Sequence, residues 1–563
     1  MFKFRKRSRE PLADVRSAKR WLASLPANDP LVVQRELLSR LDALSVRTAR
    51  RTPGRLAAVF AVDAQTDGLV RTLMTQYAGH AVRSTKIENQ LWHALFDLTQ
   101  SYLACYAAFA REITDDAEYG KWTALLPELV TRQIGHMGQD AKIRLYRCER
   151  WIPAKWAELH AAFTRACALQ IERRPLQLGA TRGPTTNERE YLSTLLLLQG
   201  DPGNLTPRQI EWFATQLDEW CRSLRLTVAA KAPATFCVDL ASSVGLKRRP
   251  LGALEGRVLF VDLRPVQALL LQNRAELEQA LKNDPRSDLA RQQREQLDLF
   301  NKLASRLDPE FKPMARRGER IAAKGAVDAI VGFGNISAFL ADDESMSSSQ
   351  RDARRSFANT MDIAVFGRSR VEPENRVEIA RRRLVAFAAP GGPWEMKDMS
   401  VSGFRLHAPM SVATEITLSM LVAIHRRGDD PWVLGIVRRM RRLSADNAEI
   451  GLQLIANSLT TAELVERRAS RDADYSVDGE QGPAGRRFRG LYLSFTRRAD
   501  EPAVQSLIVP PVEYQPAKRY LLQLVDSALT IRYGRLLEQH SDWVWTVIEP
   551  QEPGAAASGG PMP

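Results

Sequence analysis

The 563-residue chain is too long for one ordinary hydrophobic core, so two to four domains are expected. Its content of 44% apolar and 26% charged residues is that of a soluble globular protein. No window of about 18 uncharged apolar residues occurs, and no transmembrane helix is expected. The formal net charge of +14 favours polyanionic partners, namely nucleotides, nucleic acid, an acidic protein face or an anionic membrane, although a solvated Arg-rich surface explains the same excess.

The five cysteines and seven histidines give no sign of a disulfide framework or of a metal site. The cysteines all lie in the first half of the chain, mostly within helical patterns where a buried thiol is the default. We therefore expect a reducing, cytoplasmic setting, no metal and no cofactor. The basic start, Met1 to Arg7, is not followed by an apolar signal core. We expect it to be a disordered, solvated end, with peripheral contact to anionic lipid as the alternative.

Residues 1–305 are predicted to form an all-α helical domain. The segment Thr206 to Gln209 is a strong helix start, because Thr206 can cap the helix, Pro207 suits its first position and Gln209 completes a capping box. The run Val258 to Leu263 breaks the helical pattern and predicts a short strand or a tight junction. Apolar residues recur at helical spacing in two stripes: Leu91, Leu95, Leu98, Tyr102, Cys105 and Phe109, then Ile210, Phe213, Leu217, Trp220 and Leu224.

After about Pro313 the pattern changes to short β-type runs that are rich in Val, Ile, Leu, Phe and Trp, with turn residues between them. Short strands in series predict a small antiparallel barrel within residues 306–465, interrupted by a polar insertion at about 341–390. Later runs predict a C-terminal β-rich module over 486–550, either separate or an extension of the barrel, and a disordered tail at 551–563. The predicted fold class is α+β multidomain, and no internal repeat is evident.

Two short motifs mark a candidate site. Asp398 to Gly403 reads D-x-S-x-x-G between two β-type runs, and Arg316 to Arg320 reads R-x-x-x-R just before the run Ala326 to Phe333. The arginine pair alone is uninformative in a chain with so many arginines. The D-x-S-x-x-G motif is rarer, with a chance match in roughly one of ten such chains. Taken alone, it is equally well interpreted as a β-turn in which Asp and Ser bond nearby backbone groups and Gly takes a positive φ.

The order of arginine pair, β segment, D-x-S-x-x-G and further strands resembles the PilZ family of cyclic di-GMP receptors over about residues 316–459. The residue patterns of the two later β-type runs, Trp432 to Arg439 and Glu449 to Leu454, strengthen the likeness. The resemblance implies a six-stranded β-barrel that binds the dinucleotide between an arginine arm and the second motif. The positions that match the family's motifs are Arg316, Arg320, Asp398, Ser400 and Gly403.

The chemistry of these residue types suits that ligand. An arginine fork matches the O6 and N7 acceptors of guanine and also pairs with phosphate. Asp398 can accept hydrogen bonds from guanine N1–H and N2–H, Ser400 adds a hydroxyl contact, and Gly403 lets the backbone approach the ligand closely. Arg317 and Arg405 are candidate secondary phosphate contacts, and a solvated surface role is the alternative for each.

The spacing of the two motifs departs from the family pattern. Arg320 lies 78 positions before Asp398, whereas the family usually needs a few tens. The polar insertion accounts for the excess length. Such an insertion is tolerable, because the entropic cost of closing a loop grows only with the logarithm of its length. Arg376 and Arg381 to Arg383 lie closer to Asp398 and are an alternative arm. Arg316 and Arg320 are favoured because a β-type run directly follows them.

Nothing in the sequence indicates an enzyme, since it contains no G-x-x-x-x-G-K-[ST] phosphate loop and no GGDEF, EAL or HD-GYP sequence. The first hypothesis is a cytosolic receptor that binds cyclic di-GMP and relays the signal through the helical domain to an unidentified protein partner. The second is a ligand-free, degenerate PilZ adaptor that acts as a constitutive scaffold. DNA is not expected as a partner, because the aromatic residues mostly occupy core-like positions rather than alternating with Lys and Arg.

Overall fold

The computed structural model describes residues 10–551 except 27–28, 47–49, 80–84, 116–118, 180–182, 201, 230–235, 249–256, 285–288, 309, 311–319, 345–392, 414–415, 427–431, 445, 468–485, 496–503 and 525–526. The basic start, Arg316 and Arg317, the predicted insertion beyond residue 344 and nearly all of the predicted tail lie outside the described residues. The chain divides into two compact units, Met1–Pro313 and Met314–Pro563.

The first unit is helical for most of its length, which confirms the predicted helical N-terminal half. Its helices are α1 Val15–Ala23, α2 Pro30–Ser45, α3 Pro53–Gly79, α4 Thr85–Asp115, α5 Leu126–Leu145, α6 Pro153–Ala168, α7 Asn187–Gln199, α8 Pro207–Trp220, α9 Arg264–Asn283 and α10 Ala290–Arg306. It also contains a small antiparallel sheet in the order β2-β1-β3, formed by β1 Phe236–Asp239, β2 Lys247–Arg248 and β3 Val258–Val261. Of the two alternatives for the run from Val258, a short strand or a tight junction, the structure shows the strand.

The sequence signals for individual helices are confirmed in detail. At the start of α8 the Thr206 hydroxyl accepts from the Gln209 backbone N–H, and the Gln209 side chain accepts from the Thr206 N–H, which completes the capping box. The two predicted apolar stripes are buried throughout, in α4 and from α8 to Leu224. Burial of these stripes against neighbouring helices is the main source of helix stability in a domain of this kind. None of the helices in the described part of the chain combines the length and apolar character that a membrane crossing requires.

A buried polar network joins three helices of this unit. Asp63 on α3 accepts hydrogen bonds from the Tyr106 hydroxyl on α4 at 2.6 Å, and from Arg132 Nη1 and His136 Nε2 on α5 at 2.9 Å each. Burial alone raises the pKa of Asp63, but the neighbouring charges of His136 and Arg132 outweigh it and hold that pKa well below its usual range. The Asp63 carboxylate is therefore ionised and links α3 to both other helices.

We expect Asp63→Ala to lower the free energy of unfolding of the helical unit by about 3–5 kcal/mol, because it leaves Arg132 and His136 without the carboxylate that they share. Since the folded pKa of Asp63 is depressed, its contribution is present above the usual pKa of 3.8 and is lost as the pH falls through the folded value. Urea unfolding followed by circular dichroism, at neutral pH and in steps below pH ~4, measures both effects.

The matched control is Glu278→Ala, which removes a carboxylate from an exposed i,i+4 pair with Arg274 on α9. We expect it to change stability by less than about 0.5 kcal/mol. Equal losses for the two variants would contradict a structural role for the Asp63 network.

The second unit consists of two closed antiparallel barrels, each with six strands, which confirms the predicted barrel and β-rich C-terminal region. The first barrel comprises β4 Ile321–Val331, β5 Trp394–Ser400, β6 Gly403–Pro409, β7 Leu421–Arg426, β8 Val433–Arg442 and β9 Asn447–Ala456. The second comprises β10 Thr460–Arg467, β11 Arg487–Phe495, β12 Val504–Val509, β13 Arg519–Leu524, β14 Ser527–Gln539 and β15 Val544–Pro550. Helix α11, Phe333–Glu344, follows β4, and a one-turn helix spans Met410–Ala413.

The two barrels have the same strand order. The first runs β4-β5-β6-β9-β8-β7 and the second β10-β11-β12-β15-β14-β13, so their first to sixth strands occupy equivalent places. The second barrel begins at Thr460, ahead of the C-terminal module that the sequence suggested from residue 486. The chain therefore contains a structural repeat that the sequence pattern does not reveal.

An apolar core joins the two barrels and α11. Leu421 and Ala423 of β7 pack in this core with Phe333 of α11 and with Leu491 and Ile508 of the second barrel. The alternating residues Val422 and Ile424 are also buried, and because neighbouring side chains of a strand point to opposite faces, they face the lumen of the first barrel. Strand β7 is thus buried on both faces, which explains its continuous apolar sequence.

Candidate functional site

The D-x-S-x-x-G motif forms the end of β5, a tight turn and the start of β6. Ser400 pairs with Gly403 at the end of the ladder, and Val401 and Ser402 make the two-residue turn between them. The Ser400 hydroxyl donates to the Gly403 carbonyl at 3.3 Å, and the Ser402 carbonyl accepts from the Leu454 N–H at 3.0 Å. The motif is therefore a hairpin turn whose polar groups are partly committed to holding its own backbone.

A β-bulge at Lys397 turns Asp398 to the outside of the barrel. In the β5–β6 ladder Met396 pairs with Leu406 and Asp398 with Arg405, which leaves Lys397 as the extra residue. The extra residue reverses the alternation, so that Asp398 lies on the same outer face as Arg405 instead of following Met396 into the lumen. A second irregularity between Ala322 and Gly325 in β4 keeps Ala322 paired with Asp398.

Two arginines meet at the Asp398 carboxylate. Arg320 Nη1 lies 2.6 Å from Oδ1, and Arg405 Nη2 lies 2.5 Å from Oδ2. The Asp398 side chain is only 8% exposed, whereas the side chains of Arg320 and Arg405 are 43% and 44% exposed. The carboxylate therefore lies beneath two guanidinium groups whose side chains are partly exposed to solvent. Such a pair of forks is able to bind phosphate or the acceptor edge of guanine.

Gly403 occupies a place where no side chain fits. A Cβ atom at this position would lie only 2.1 Å from the carbonyl oxygen of Leu452 on the adjacent strand β9. The close approach holds the turn against β9, where Gly403 pairs with Gln453. The requirement for glycine in the motif thus has a packing cause in this chain, in addition to any approach of a ligand.

Further charged residues extend the outer face across β6 and β9. Arg405 Nη1 also lies 3.7 Å from Glu449 Oε2 on β9, and His407 Nε2 lies 4.0 Å from the same oxygen. Partial burial and the charge of Lys397 lower the pKa of His407, which Glu449 offsets only in part. His407 is therefore neutral at pH 7, and the positive charge at the site comes from the arginines.

The structure brings four of the predicted site residues together: Arg320, Asp398, Ser400 and Gly403. Arg316 and Arg317, and the alternative arm at Arg376 and Arg381 to Arg383, lie outside the described residues. The sequence treated Arg405 only as a secondary candidate, although it is bound to Asp398 as closely as Arg320 is. The sequence did contain one indication of this role: Arg405 lies two residues after Gly403 on β6, and alternate residues of a strand share a face. Glu449 was missed as a charged partner, because strand pairing alone brings it near.

Residues 16–232 match the family model of the N-terminal domain of the cyclic-di-GMP receptor FimW. The matched residues run from within α1 to just beyond α8, and they make up less than half of the 563-residue chain. No curated protein matches the chain. The matched region is thus the helical one, and the candidate site on the first barrel lies outside it.

We expect Gly403→Ala to destabilise the second unit by roughly 1–3 kcal/mol, because the added methyl group would overlap the Leu452 carbonyl and force the hairpin away from β9. Urea unfolding of the full chain measures the loss. Gly325→Ala on β4 is the matched control, because a Cβ atom there would meet nothing within 4 Å. A loss at Gly403 no larger than at Gly325 would show that the turn does not need the close approach.

Proposed function

We propose that this protein is a cytoplasmic receptor for cyclic di-GMP, that it is not an enzyme, and that the first barrel is a PilZ-type domain. The observation that carries the proposal is the pair of solvent-facing arginines, Arg320 and Arg405, held by Asp398 beside the D-x-S-x-x-G hairpin. The match of residues 16–232 to the N-terminal domain of a cyclic-di-GMP receptor supports the same ligand from a separate part of the chain.

The proposed recognition uses both phosphate and base chemistry. The ligand carries two phosphates and two guanines, and each arginine fork can bind one phosphate or one guanine acceptor edge through two parallel hydrogen bonds. Asp398 fixes the direction of the forks, since each of its oxygens is engaged by one arginine. Arg316 and Arg317 belong to the proposed arm and would add donors from the segment that precedes Arg320.

The proposed output is a relay to a protein partner through the helical unit. The arm lies between α10, which ends at Arg306, and β4, which begins at Ile321. A ligand that orders the arm therefore acts on the segment that connects the two units. Coupling of this kind requires the ligand to bind one arrangement of that segment more tightly than another.

One observation favours the second candidate, a ligand-free adaptor. Both oxygens of the Asp398 carboxylate are paired with arginines of the chain itself, Arg320 and Arg405, as in a scaffold that has kept the motif for its own stability. The two candidates differ in whether the arginine donors are used by an external anion. The binding measurements below separate them.

We expect cyclic di-GMP to bind the full chain, and Arg320→Ala and Asp398→Ala each to weaken binding at least about tenfold, equivalent to about 1.4 kcal/mol. The first variant removes a fork, and the second removes the group that orients Arg320 and Arg405. Isothermal titration calorimetry measures the affinities. Arg532→Ala, on β14 of the second barrel, is the control and should bind like the parent protein. No binding by the parent protein would establish the adaptor instead.

The same titration identifies the arm. Loss of affinity in Arg316→Ala with parental affinity in Arg381→Ala supports the arm that precedes β4, and the reverse result assigns the arm to the second basic segment. GMP and cyclic di-AMP serve as comparison ligands, because only guanine offers the O6 and N7 acceptor pair. Equal affinity for cyclic di-AMP would point to simple charge attraction, which rising salt would abolish.

We expect saturating cyclic di-GMP to change amide hydrogen exchange within residues 16–232, because the proposed relay ends in the helical unit. Exchange measured by mass spectrometry on the full chain, with Arg320→Ala as the non-binding control, tests this. Protection confined to the first barrel would contradict the relay while leaving ligand binding intact.

A further inference from the structure

Among the described residues of the second barrel, the face that corresponds to the candidate site is apolar and covered. Strands β11, β12 and β15 hold the places that β5, β6 and β9 hold in the first barrel. On the first barrel these strands carry Asp398, Arg405 and Glu449 on the outer face. On the second barrel the outward residues Leu491 and Ile508 belong to the apolar core shared with the first barrel. The equivalent face is therefore covered by its neighbour.

The second barrel instead reaches the edge of the candidate site through one carboxylate. Glu538 on β14 accepts two hydrogen bonds from Arg438 on β8, Nη1 to Oε1 and Nη2 to Oε2, at 2.6 Å each. The same guanidinium donates from Nε to the side-chain oxygen of Gln453 at 2.7 Å. Arg438 thus joins the two barrels by a bidentate ion pair, the strongest geometry available to an arginine and a carboxylate.

Gln453 connects this ion pair to the motif. It pairs with Gly403 across the β6–β9 ladder, and the adjacent Leu454 N–H donates to the carbonyl of Ser402 in the turn. Gln453 therefore contacts the Arg438 guanidinium with its side chain and the D-x-S-x-x-G hairpin with its backbone. The Arg438 side chain is 37% exposed, and that of Glu538 is 25% exposed, so both groups are open to competition from solution.

Phosphate and carboxylate are both acceptors for an arginine fork, so an anion bound at the hairpin would be an alternative partner for Arg438. Arg438 is long enough to turn about its flexible stem, and its guanidinium keeps its full charge at any physiological pH. While Glu538 holds it, the charge of Arg438 is neutralised and its fork is filled. Once released from Glu538, the Arg438 fork would have donors for an anion.

We propose that the second barrel is an internal regulator of the site on the first barrel, with Glu538 competing against the bound ligand for Arg438. This inference rests on the proposed function, because the competing ligand is the anionic dinucleotide. Thermodynamic linkage makes the effect reciprocal. The ion pair between the barrels weakens ligand binding by a certain free energy, and ligand binding weakens the ion pair by the same free energy.

A double-mutant cycle on the full chain tests the proposal by calorimetry with cyclic di-GMP. We expect Glu538→Gln to raise the affinity at least about fivefold, because it removes the competing charge and keeps the size of the side chain. We expect Arg438→Ala to lower the affinity, and Glu538→Gln to have no effect in the Arg438→Ala background. Glu463→Gln, which removes a carboxylate from an ion pair with Arg487 within the second barrel, is the control and should leave the affinity unchanged.

Each outcome has a defined meaning. Unchanged or lower affinity in Glu538→Gln, or the same gain in both Arg438 backgrounds, overturns the competition while cyclic di-GMP binding by the parent protein keeps the proposed function. Absence of binding by the parent protein overturns the proposed function, and the competition with it. Thermal unfolding of each variant by circular dichroism ensures that an affinity change is compared between folded proteins.

Discussion

The β-bulge at Lys397 decides which way Asp398 points, and the candidate site depends on that direction. Side chains alternate along a strand, so without an extra residue Asp398 would follow Trp394 and Met396 into the lumen. An isolated carboxylate in such an apolar interior is too costly to persist as a charge. The bulge places the carboxylate on the outer face, where Arg320, just before β4, and Arg405, on β6, reach it from either side.

Under the proposed function, the ion pairs at Asp398 serve to position the two arginines rather than to stabilise the fold. Pairs whose arginine side chains are 43% and 44% exposed stabilise a fold by about 0–1 kcal/mol, because water screens the attraction and two long side chains lose freedom. The two guanidinium groups nevertheless carry more N–H donors than the Asp398 and Glu449 carboxylates engage. Holding both forks in place in advance reduces the ordering cost that an anionic ligand would otherwise meet on binding.

Local patterns in the sequence were sufficient to predict individual helices, strands and turns, but not how these elements assemble. The Thr206 capping box depends on residues three apart, and the hairpin at Ser400 depends on a turn two residues long, so both could be predicted. The contact of Arg405 with Asp398 depends on the Lys397 bulge, which has no signature in residue type. Strand β10, which begins at Thr460, belongs to the second barrel and not to the first. That assignment depends on long-range strand pairing, which the residues next to one another in the sequence do not determine.

The repeat of the barrel was hidden for a related reason. Two barrels with one strand order need only the same alternation toward the lumen, and their outer faces are free to diverge. Here the faces have diverged completely: the first carries Asp398 and Arg405, and the second carries Leu491 and Ile508. Equivalent strands of the two barrels therefore carry charged residues on one outer face and apolar residues on the other, although the strand order is the same.

This divergence gives the second barrel a position from which it can act on the site. Its apolar face fixes it against the first barrel through a core that includes α11 and β7, and this brings Glu538 within reach of Arg438. An apolar contact of that kind does not respond to an anion, whereas an exposed ion pair does, because only the ion pair shares its donors with a ligand. The interface between the barrels thus combines an apolar core, which fixes how the barrels pack, with the Arg438–Glu538 ion pair, which can exchange partners. A change of partner by Arg438 would remove an ion pair from the second barrel while the two barrels stay in apolar contact.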